Sequence, residues 1–306
     1  MRVSLILVYA STLFAQDGAV FRAAVSLVHV DAEVLQDGRI LAGLGKGDFQ
    51  VKDEGAPQPI LQFSADEQPL DLILLFDISG SMMPAVARVA AAGRQALDEL
   101  RAGDRVAVMV FSFRSRLILP FTEDLALVER TIREDVAGRK FGGGTLIQNA
   151  MDNAARHFMK ERRTERRRAV LIITDDRGQR TRSTSSIVRD FWEADAILSG
   201  LLVQGAMAKA ARIIAPVFAP HVAAMMVGIG GVVDKTGGDA IRADDPGAGF
   251  RDMIHRIRTR YSLYYSQPQG KPGTTRTIRV ELSADAASKY SGARVRARAG
   301  YIVPKE

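Results

Sequence analysis

The stretch Asp71-Leu72-Ile73-Leu74-Leu75-Phe76-Asp77-Ile78-Ser79-Gly80-Ser81 decides the fold of this chain. Its centre, residues 72–76, is an unbroken apolar run that ends in Asp77, and a helical stretch from Pro84 to Leu100 follows. A strand that is apolar on both faces is typical of a buried parallel sheet. We therefore interpret this stretch as a central strand that passes through a tight turn into a helix.

The same alternation of apolar strand and amphipathic helix continues to residue 258. It is typical of a doubly wound α/β domain with a mostly parallel, Rossmann-like sheet. Further strands are predicted at Val106–Phe111, Ala169–Thr174, Ala196–Val203 and Asp239–Ile241, and further helices near Asp124–Glu134, Ile147–Lys160, Thr184–Glu193 and Gly249–Arg258.

On both sides of this domain the hydrophobic period changes to two. Between residues 21 and 63, apolar and polar residues alternate, and turns at Asp37-Gly38 and Glu54-Gly55 interrupt them. The polar positions of the first such run are His29, Asp31 and Glu33. This pattern predicts half-buried strands joined by hairpins, and it returns at residues 278–282 and 294–299. Because two or three strands alone rarely bury enough apolar surface, we hypothesise that strands from both termini form one small β domain.

The first fifteen residues resemble a secretory signal peptide. Arg2 precedes an apolar run from Val3 to Phe14, and Ala15 offers a cleavage site. The run is short for a bilayer span, which needs about 20 residues. We therefore expect an exported, periplasmic or secreted protein, with an uncleaved N-terminal membrane anchor as the alternative. The expected division is 1–15 signal peptide, 16–69 N-terminal β-strand region, 70–265 α/β domain and 266–306 C-terminal β-strand region.

The composition of the 306 residues limits the chemistry. The chain has no cysteine, which excludes thiolate chemistry, and its four histidines are far apart in the sequence, which argues against a histidine-rich metal site. The net charge is +7, but both signs are scattered, which argues against a nucleic-acid partner. Any metal would have to be held by oxygen.

Oxygen ligands are predicted to meet at one edge of the sheet. Asp77, Ser79 and Ser81 stand at alternate positions after the first central strand, where ligands of open α/β sheets bind. The loop Gly142-Gly143-Gly144-Thr145 and the segment Thr174-Asp175-Asp176 come to the same edge. Carboxylates and hydroxyls without nitrogen or sulfur suit a hard divalent cation, above all Mg²⁺.

In their order and strand context, these residues resemble the metal-ion-dependent adhesion site (MIDAS) of von Willebrand factor type A domains. The resemblance covers about Leu70 to Tyr265. The flanks resemble an acidobacterial group of secreted proteins with such a domain, through residues 47–55, Gln58-Pro59-Ile60 and the ending Arg298-Ala299-Gly300-Tyr301.

The resemblance implies a role for each position. Asp77, Ser79, Ser81, Thr145 and Asp175 would bind Mg²⁺, with Mn²⁺ or Ca²⁺ as alternatives. An exposed Asp or Glu of a partner protein would complete the coordination, as in cell adhesion. Gly143 and Gly144 would form the rim of the ligand site, since glycine lets a backbone approach closely. The oligomeric state is not indicated.

The sequence departs from the family pattern after Asp175, where Asp176 replaces a common glycine. Aspartate tolerates the left-handed conformation better than most residues, so we expect the turn to form. The extra carboxylate is a possible additional metal ligand.

Three readings stay open at this stage. A metal-assisted hydrolase of phosphate or peptide bonds is the alternative to a binding module, although no hydrolase or phosphate-loop motif accompanies the site. The apolar segment 205–230, interrupted by charges and prolines, could be a recognition insert or a helical pair covering the sheet. The basic run from Lys160 to Arg168 is expected to be a solvated helix end, with recruitment of an acidic partner as the alternative.

Overall fold

The computed structural model describes residues 26–65, 68–139, 144–162, 164–179, 181–203 and 226–304. The expected signal peptide, Gly143 and residues 205–225 of the apolar segment lie outside these ranges. Strands in the first part of the chain are β1 (Leu27–Gln36), β2 (Arg39–Ile40), β3 (Phe49–Asp53), β4 (Ala56–Gln58) and β5 (Gln62–Ala65).

The central sheet has six strands and confirms the predicted fold class. The strands of this part of the chain, in sequence order, are β6 (Leu70–Asp77), β7 (Arg105–Phe111), β8 (Ser115–Thr122), β9 (Arg167–Thr174), β10 (Gly178–Gln179), β11 (Ala196–Val203), β12 (Met226–Val227) and β13 (Ala240–Ala243). All of them except β10 and β12 belong to the central sheet. The order is β13-β11-β9-β6-β7-β8, and all neighbours are parallel except β7 and β8. The antiparallel edge strand β8 was not predicted. β10 and β12 form a separate two-stranded sheet.

Helices cover both faces of this sheet. They are α1 (Met83–Ala91), α2 (Gly93–Leu97), α3 (Leu125–Arg130), α4 (Ile147–Lys160), α5 (Thr184–Glu193), α6 (Gly230–Thr236), α7 (Pro246–Arg258) and α8 (Ala284–Lys289), the last outside the sheet. Two three-residue 3₁₀ turns occur at 46–48 and 80–82, and a π-helical turn at 131–136 extends α3. One core packs α1, α2, α3 and α7 against one face, and a second core packs α4, α5 and α6 against the other. Strands β6, β9 and β11 are buried along their whole length, as the apolar runs predict.

Strands from both ends of the described chain pair with one another. The last strands are β14 (Tyr261–Ser266), β15 (Thr275–Leu282), β16 (Arg294–Ala297) and β17 (Gly300–Ile302). One sheet has the order β16-β1-β14-β5, with β2 beside β1, and the other has β17-β15-β3-β4. Their facing apolar side chains form a third core. Strand β14 crosses the expected boundary at residue 265, and it pairs with β1 and β5 and not with the central sheet.

Both turns expected in the N-terminal strands form. Asp37 and Gly38 have φ values of 50° and 77°, and Glu54 and Gly55 have 49° and 81°. Two consecutive residues with positive φ match the twist of a tight hairpin.

The expectation of half-buried N-terminal strands is wrong for β1. Its second face, which carries Asp31 and Glu33, packs against the α/β domain, and these side chains are buried as well. Asp31 accepts a hydrogen bond from Arg167 Nε at 2.9 Å. The alternation of polar residues therefore marks a charged interface and not a solvent-facing surface.

The basic run is also not a solvated helix end throughout. Arg167 and Arg168 are buried, and Arg166 is partly buried beside Asp71. Arg167 donates to the carbonyls of Ile257 and Arg258, at the end of α7. These arginines lie where β9 begins, under the terminal strands. Their charged groups therefore make contacts that stabilise the fold. Within the described ranges, no helix combines the length and apolarity that a membrane span requires.

Candidate metal centre

Asp77 is the most deeply buried member of the predicted site. It ends β6, opposite Phe111 in the register with β7. Its carboxylate is fully buried and accepts hydrogen bonds from Ser79 N at 2.9 Å and from Thr174 Oγ1 at 2.8 Å. Both bonds come from strand ends at the same edge, so the parallel register of β6 and β9 holds the carboxylate in place.

The two serines follow in a short 3₁₀ turn that leads into α1. Ser79 is buried, whereas Ser81 is exposed. Their hydroxyl oxygens are 3.3 Å apart, and Ser81 Oγ donates to Asp175 Oδ2 at 2.8 Å. The turn therefore brings both hydroxyls towards the loop that follows β9.

Asp175 and Asp176 lie in this loop but face different neighbours. Asp175 Oδ1 accepts a bond from Arg177 N at 3.3 Å, and its Oδ2 faces Ser81. Asp176 has a φ of 63°, which confirms that aspartate replaces glycine in the left-handed turn. Asp176 Oδ1 accepts a bond from Ile229 N at 2.8 Å, and a Cβ on Gly228 would come within 2.6 Å of Oδ2. The Asp176 carboxylate thus lies against the segment that precedes α6.

Thr145 stands on the neighbouring loop, just before α4. Its carbonyl oxygen accepts a bond from Gln179 N at 3.3 Å, and Leu146 N donates to Ser112 O at 3.0 Å. Among the described residues, the Thr145 side chain makes no hydrogen bond to the other four predicted ligands. Gly144 precedes it with a φ of 78°, a backbone conformation that favours glycine.

The electrostatics of this edge are unbalanced. Burial raises the pKa of Asp77 to about 6, although hydrogen bonds from Ser79 and Thr174 favour the charged form, and the nearby charge of Asp175 raises it further. Burial likewise raises the pKa of Asp176. In the part of the chain that the structure describes, neither Asp77 nor Asp175 lies within 4.0 Å of an arginine or lysine nitrogen.

These oxygens suit a small divalent cation. Mg²⁺ binds oxygen at 2.0–2.1 Å in octahedral geometry, so adjacent ligands lie about 3 Å apart. The Ser79–Ser81 and Ser81–Asp175 oxygen separations of 3.3 and 2.8 Å match this spacing. Within the described ranges, no group of three or more His, Asp or Glu side chains could hold a metal by itself. A metal at this edge would therefore need the hydroxyls.

The structure brings Asp77, Ser79, Ser81 and Asp175 into one chain of contacts and places Thr145 on the adjoining loop. Sequence reasoning placed Thr174 at this edge without giving it a role, and it missed Phe113. Thr174 orients Asp77, and its position at the end of an apolar strand could have suggested this contact. Phe113 packs against Gly144, and no local pattern signals that contact because the two residues are distant in sequence.

Comparisons with known proteins agree with this architecture. Residues 72–179 match the family model described as von Willebrand factor type A domain. A search of curated protein sequences found no match. Over residues 72–179 the chain is therefore similar to a von Willebrand factor type A domain, and the mostly parallel central sheet is consistent with that fold.

Solved structures with similarity to the chain include three bacterial proteins. An aerotolerance-related membrane protein from Bacteroides fragilis is 16% identical, covers 61% of this chain and 98% of its own, and has a TM-score of 0.46. BatB from Bacteroides thetaiotaomicron is 18% identical over 61% and 97%, with a TM-score of 0.47. A von Willebrand factor type A protein from Catenulispora acidiphila is 12% identical over 94% and 76%, with a TM-score of 0.45. Because these TM-scores are below 0.5, the assignment depends on the family match and the topology. That match supports a protein-interaction module.

Proposed function

We propose that this protein is a metal-ion-dependent binding module that holds Mg²⁺ at the edge of its central sheet and binds an acidic residue of a partner protein. Asp77, Ser79, Ser81, Thr145 and Asp175 are the proposed ligands. The observation that carries this proposal is the chain of contacts that joins two carboxylates and two hydroxyls at one edge of the sheet. Two anionic groups so close together are stabilised by a cation between them.

The partner's part follows from the charge of the ligands. Three of the five proposed ligands are neutral hydroxyls, and Asp77 is held by hydrogen bonds from Ser79 and Thr174. A divalent cation in such a site keeps affinity for a further anion, and the half-buried edge strengthens that attraction relative to bulk water. Ser81 is exposed, which supports a site that a partner protein can reach. A partner Asp or Glu therefore fits the remaining coordination position.

We also propose that the module acts outside the cytoplasm, on the strength of the signal-like segment at residues 1–15. The division into a von Willebrand factor type A domain at 70–265 and a β domain from residues 16–69 and 266–306 is part of the same proposal. The paired terminal strands support it, with β14 as the strand that joins the two parts.

Calorimetric titration with Mg²⁺ tests the metal site. We expect saturable binding to the purified protein and none to Asp77→Ala. Asp98→Asn is the matched control, because Asp98 is an exposed aspartate remote from the site sequence. Equal Mg²⁺ binding by the wild type and Asp77→Ala would contradict the assignment. Hydrolysis of phosphate or peptide substrates that Asp77→Ala abolishes would favour an enzyme instead.

A further inference from the structure

The two most exposed large apolar side chains of the described residues both lie at the edge that carries the proposed metal site. Phe113 is 56% exposed and Met83 is 52% exposed. Single exposed apolar residues need no explanation, but two beside one polar site indicate a contact surface.

Phe113 adjoins the Thr145 side of the site. It follows β7 at the sheet edge, next to Ser112, whose carbonyl accepts the bond from Leu146 N. The ring of Phe113 lies over Gly144, where a Cβ would come within 2.1 Å of the ring carbon Cζ. The contact with Gly144 fixes the ring immediately beside Thr145, while more than half of the side chain stays open to solvent.

Met83 adjoins the opposite, serine side. It lies two residues after Ser81 and is the first residue of α1. The preceding Met82 is 1% exposed and belongs to the core, so the turn directs one methionine inward and leaves the next outside. A methionine side chain is flexible and polarisable, and it adapts to apolar partners of different shape.

We propose that Phe113 and Met83 determine the specificity of this site by binding apolar side chains on either side of the partner's acidic residue. This inference rests on the proposed metal site. The occupant is an extended partner segment in which an Asp or Glu has aromatic or aliphatic neighbours. The carboxylate complements the cation between Asp77 and Asp175, and the neighbours cover the two exposed side chains. Partly buried aromatic anchors of this kind supply much of the affinity in interfaces.

Two synthetic peptides test the inference, with Mg²⁺ at saturation and binding measured by NMR titration. One is Ser-Phe-Glu-Leu-Ser and the other is Ser-Ser-Glu-Ser-Ser, both blocked at their ends. We expect the first to bind about tenfold more tightly, because burying half of a phenylalanine side chain contributes roughly that factor. Replacing Glu by Gln in either peptide is expected to abolish binding.

Variants of the protein show which of its side chains cause the difference in binding between the two peptides. In Phe113→Ser and Met83→Ser we expect the difference between the peptides to fall by about threefold or more, and in Phe113→Leu we expect most of it to return. Leu61→Ser is the matched control, since Leu61 is 47% exposed but lies among the terminal strands. Mg²⁺ titration of every variant verifies that the metal site is intact.

Each outcome has a defined meaning. Equal binding of both peptides, no peptide binding by a protein that binds Mg²⁺, or a preference that survives Phe113→Ser and Met83→Ser would overturn this inference and leave the metal site standing. Absence of Mg²⁺ binding by the wild type would overturn the proposed function, and this inference with it.

Discussion

The carboxylates at the two ends of the α/β domain have different hydrogen-bond and ion-pair partners. At the end covered by the terminal strands, each buried aspartate has an arginine partner. These pairs are Asp31 with Arg167, Asp104 with Arg258, Asp239 with Arg256 and Arg296, and, inside the terminal strands, Asp53 with Arg276. At the opposite edge, Asp77 and Asp175 have hydroxyl and amide partners instead.

This difference in partners distinguishes carboxylates that stabilise the fold from carboxylates that are proposed to bind a cation. A buried ion pair is balanced, and removing one partner leaves the other charge uncompensated. At the metal edge, Asp77 is buried with hydrogen-bond donors but no arginine partner among the described residues, and burial raises the pKa of its carboxyl to about 6. We infer that the arginine-paired end stabilises the arrangement of the two parts, and that the unpaired edge sacrifices stability for affinity towards a cation.

The largest expected effect comes from breaking a pair at the covered end. Arg167→Ala leaves Asp31 buried without its guanidinium and removes donors to two carbonyls. We expect a loss of about 3–5 kcal/mol in the free energy of unfolding, measured with denaturant. Arg133→Ala is the control, because its exposed pair with Glu129 contributes less than about 1 kcal/mol. Equal losses of unfolding free energy in both variants would contradict the larger contribution expected from the buried pair.

The corresponding substitution at the metal edge should weaken metal binding and leave the free energy of unfolding undiminished. Asp77→Asn keeps the shape of the side chain but removes a buried, uncompensated charge. We expect Mg²⁺ affinity to fall by about 100-fold or more, whereas the metal-free protein becomes no less stable. Calorimetry and unfolding in chelator measure the two quantities. A strong destabilisation with Mg²⁺ binding retained would show that Asp77 is a structural residue.

The covered end also has a pH signature through His29. Burial alone lowers the pKa of this imidazole, but the charge of Asp31 and a hydrogen bond with Asp195 outweigh burial and raise the pKa to about 9. A folded-state pKa above the unfolded value stabilises the protein fully below pH ~6.5. We expect about 3 kcal/mol of stability to be lost as the pH rises from there through 9. Unfolding at several pH values shows this loss, and His29→Gln should lack it. A wild-type profile that matches His29→Gln would contradict the charged interface.

Metal binding should depend on pH over a different range. In the proposed site Mg²⁺ would bind ionised Asp77, and burial raises the pKa of this carboxyl to about 6. Above that value the site is ready to bind, and below it protons compete. We therefore expect the apparent Mg²⁺ affinity to fall by about tenfold between pH 7 and pH 5. Calorimetry in buffers of different pH measures it. An affinity that stays constant down to pH 5 would contradict the role of Asp77.

The smallest effect is expected at Asp176. Asparagine can still accept the bond from Ile229 N and tolerates the left-handed conformation. If the carboxylate acts by positioning the loop against residues 228–229, Asp176→Asn changes Mg²⁺ affinity by less than about twofold, whereas Asp176→Ala weakens it further. A tenfold loss in Asp176→Asn would instead make Asp176 a metal ligand.

Much of the central sheet could be predicted from local pattern. The run at residues 72–76 and the later apolar runs are long and unbroken, so their burial requires little tertiary information. Strand β8 was missed because it lies at an edge and carries exposed residues between half-buried ones. The polar face of β1 was misjudged because the alternation of His29, Asp31 and Glu33 looks the same whether water or arginine faces it.

The sequence by itself determined the parallel sheet, the oxygen-rich turn after its central strand and the family resemblance, because all three depend on residues close in the chain. Only the tertiary structure decided which carboxylates are paired with arginine and which are not. It also placed Phe113 over Gly144 and Asp176 against Ile229. Pairing depends on contacts between residues far apart in sequence, and those contacts exist only after the sheet register and the packing of the terminal strands are set.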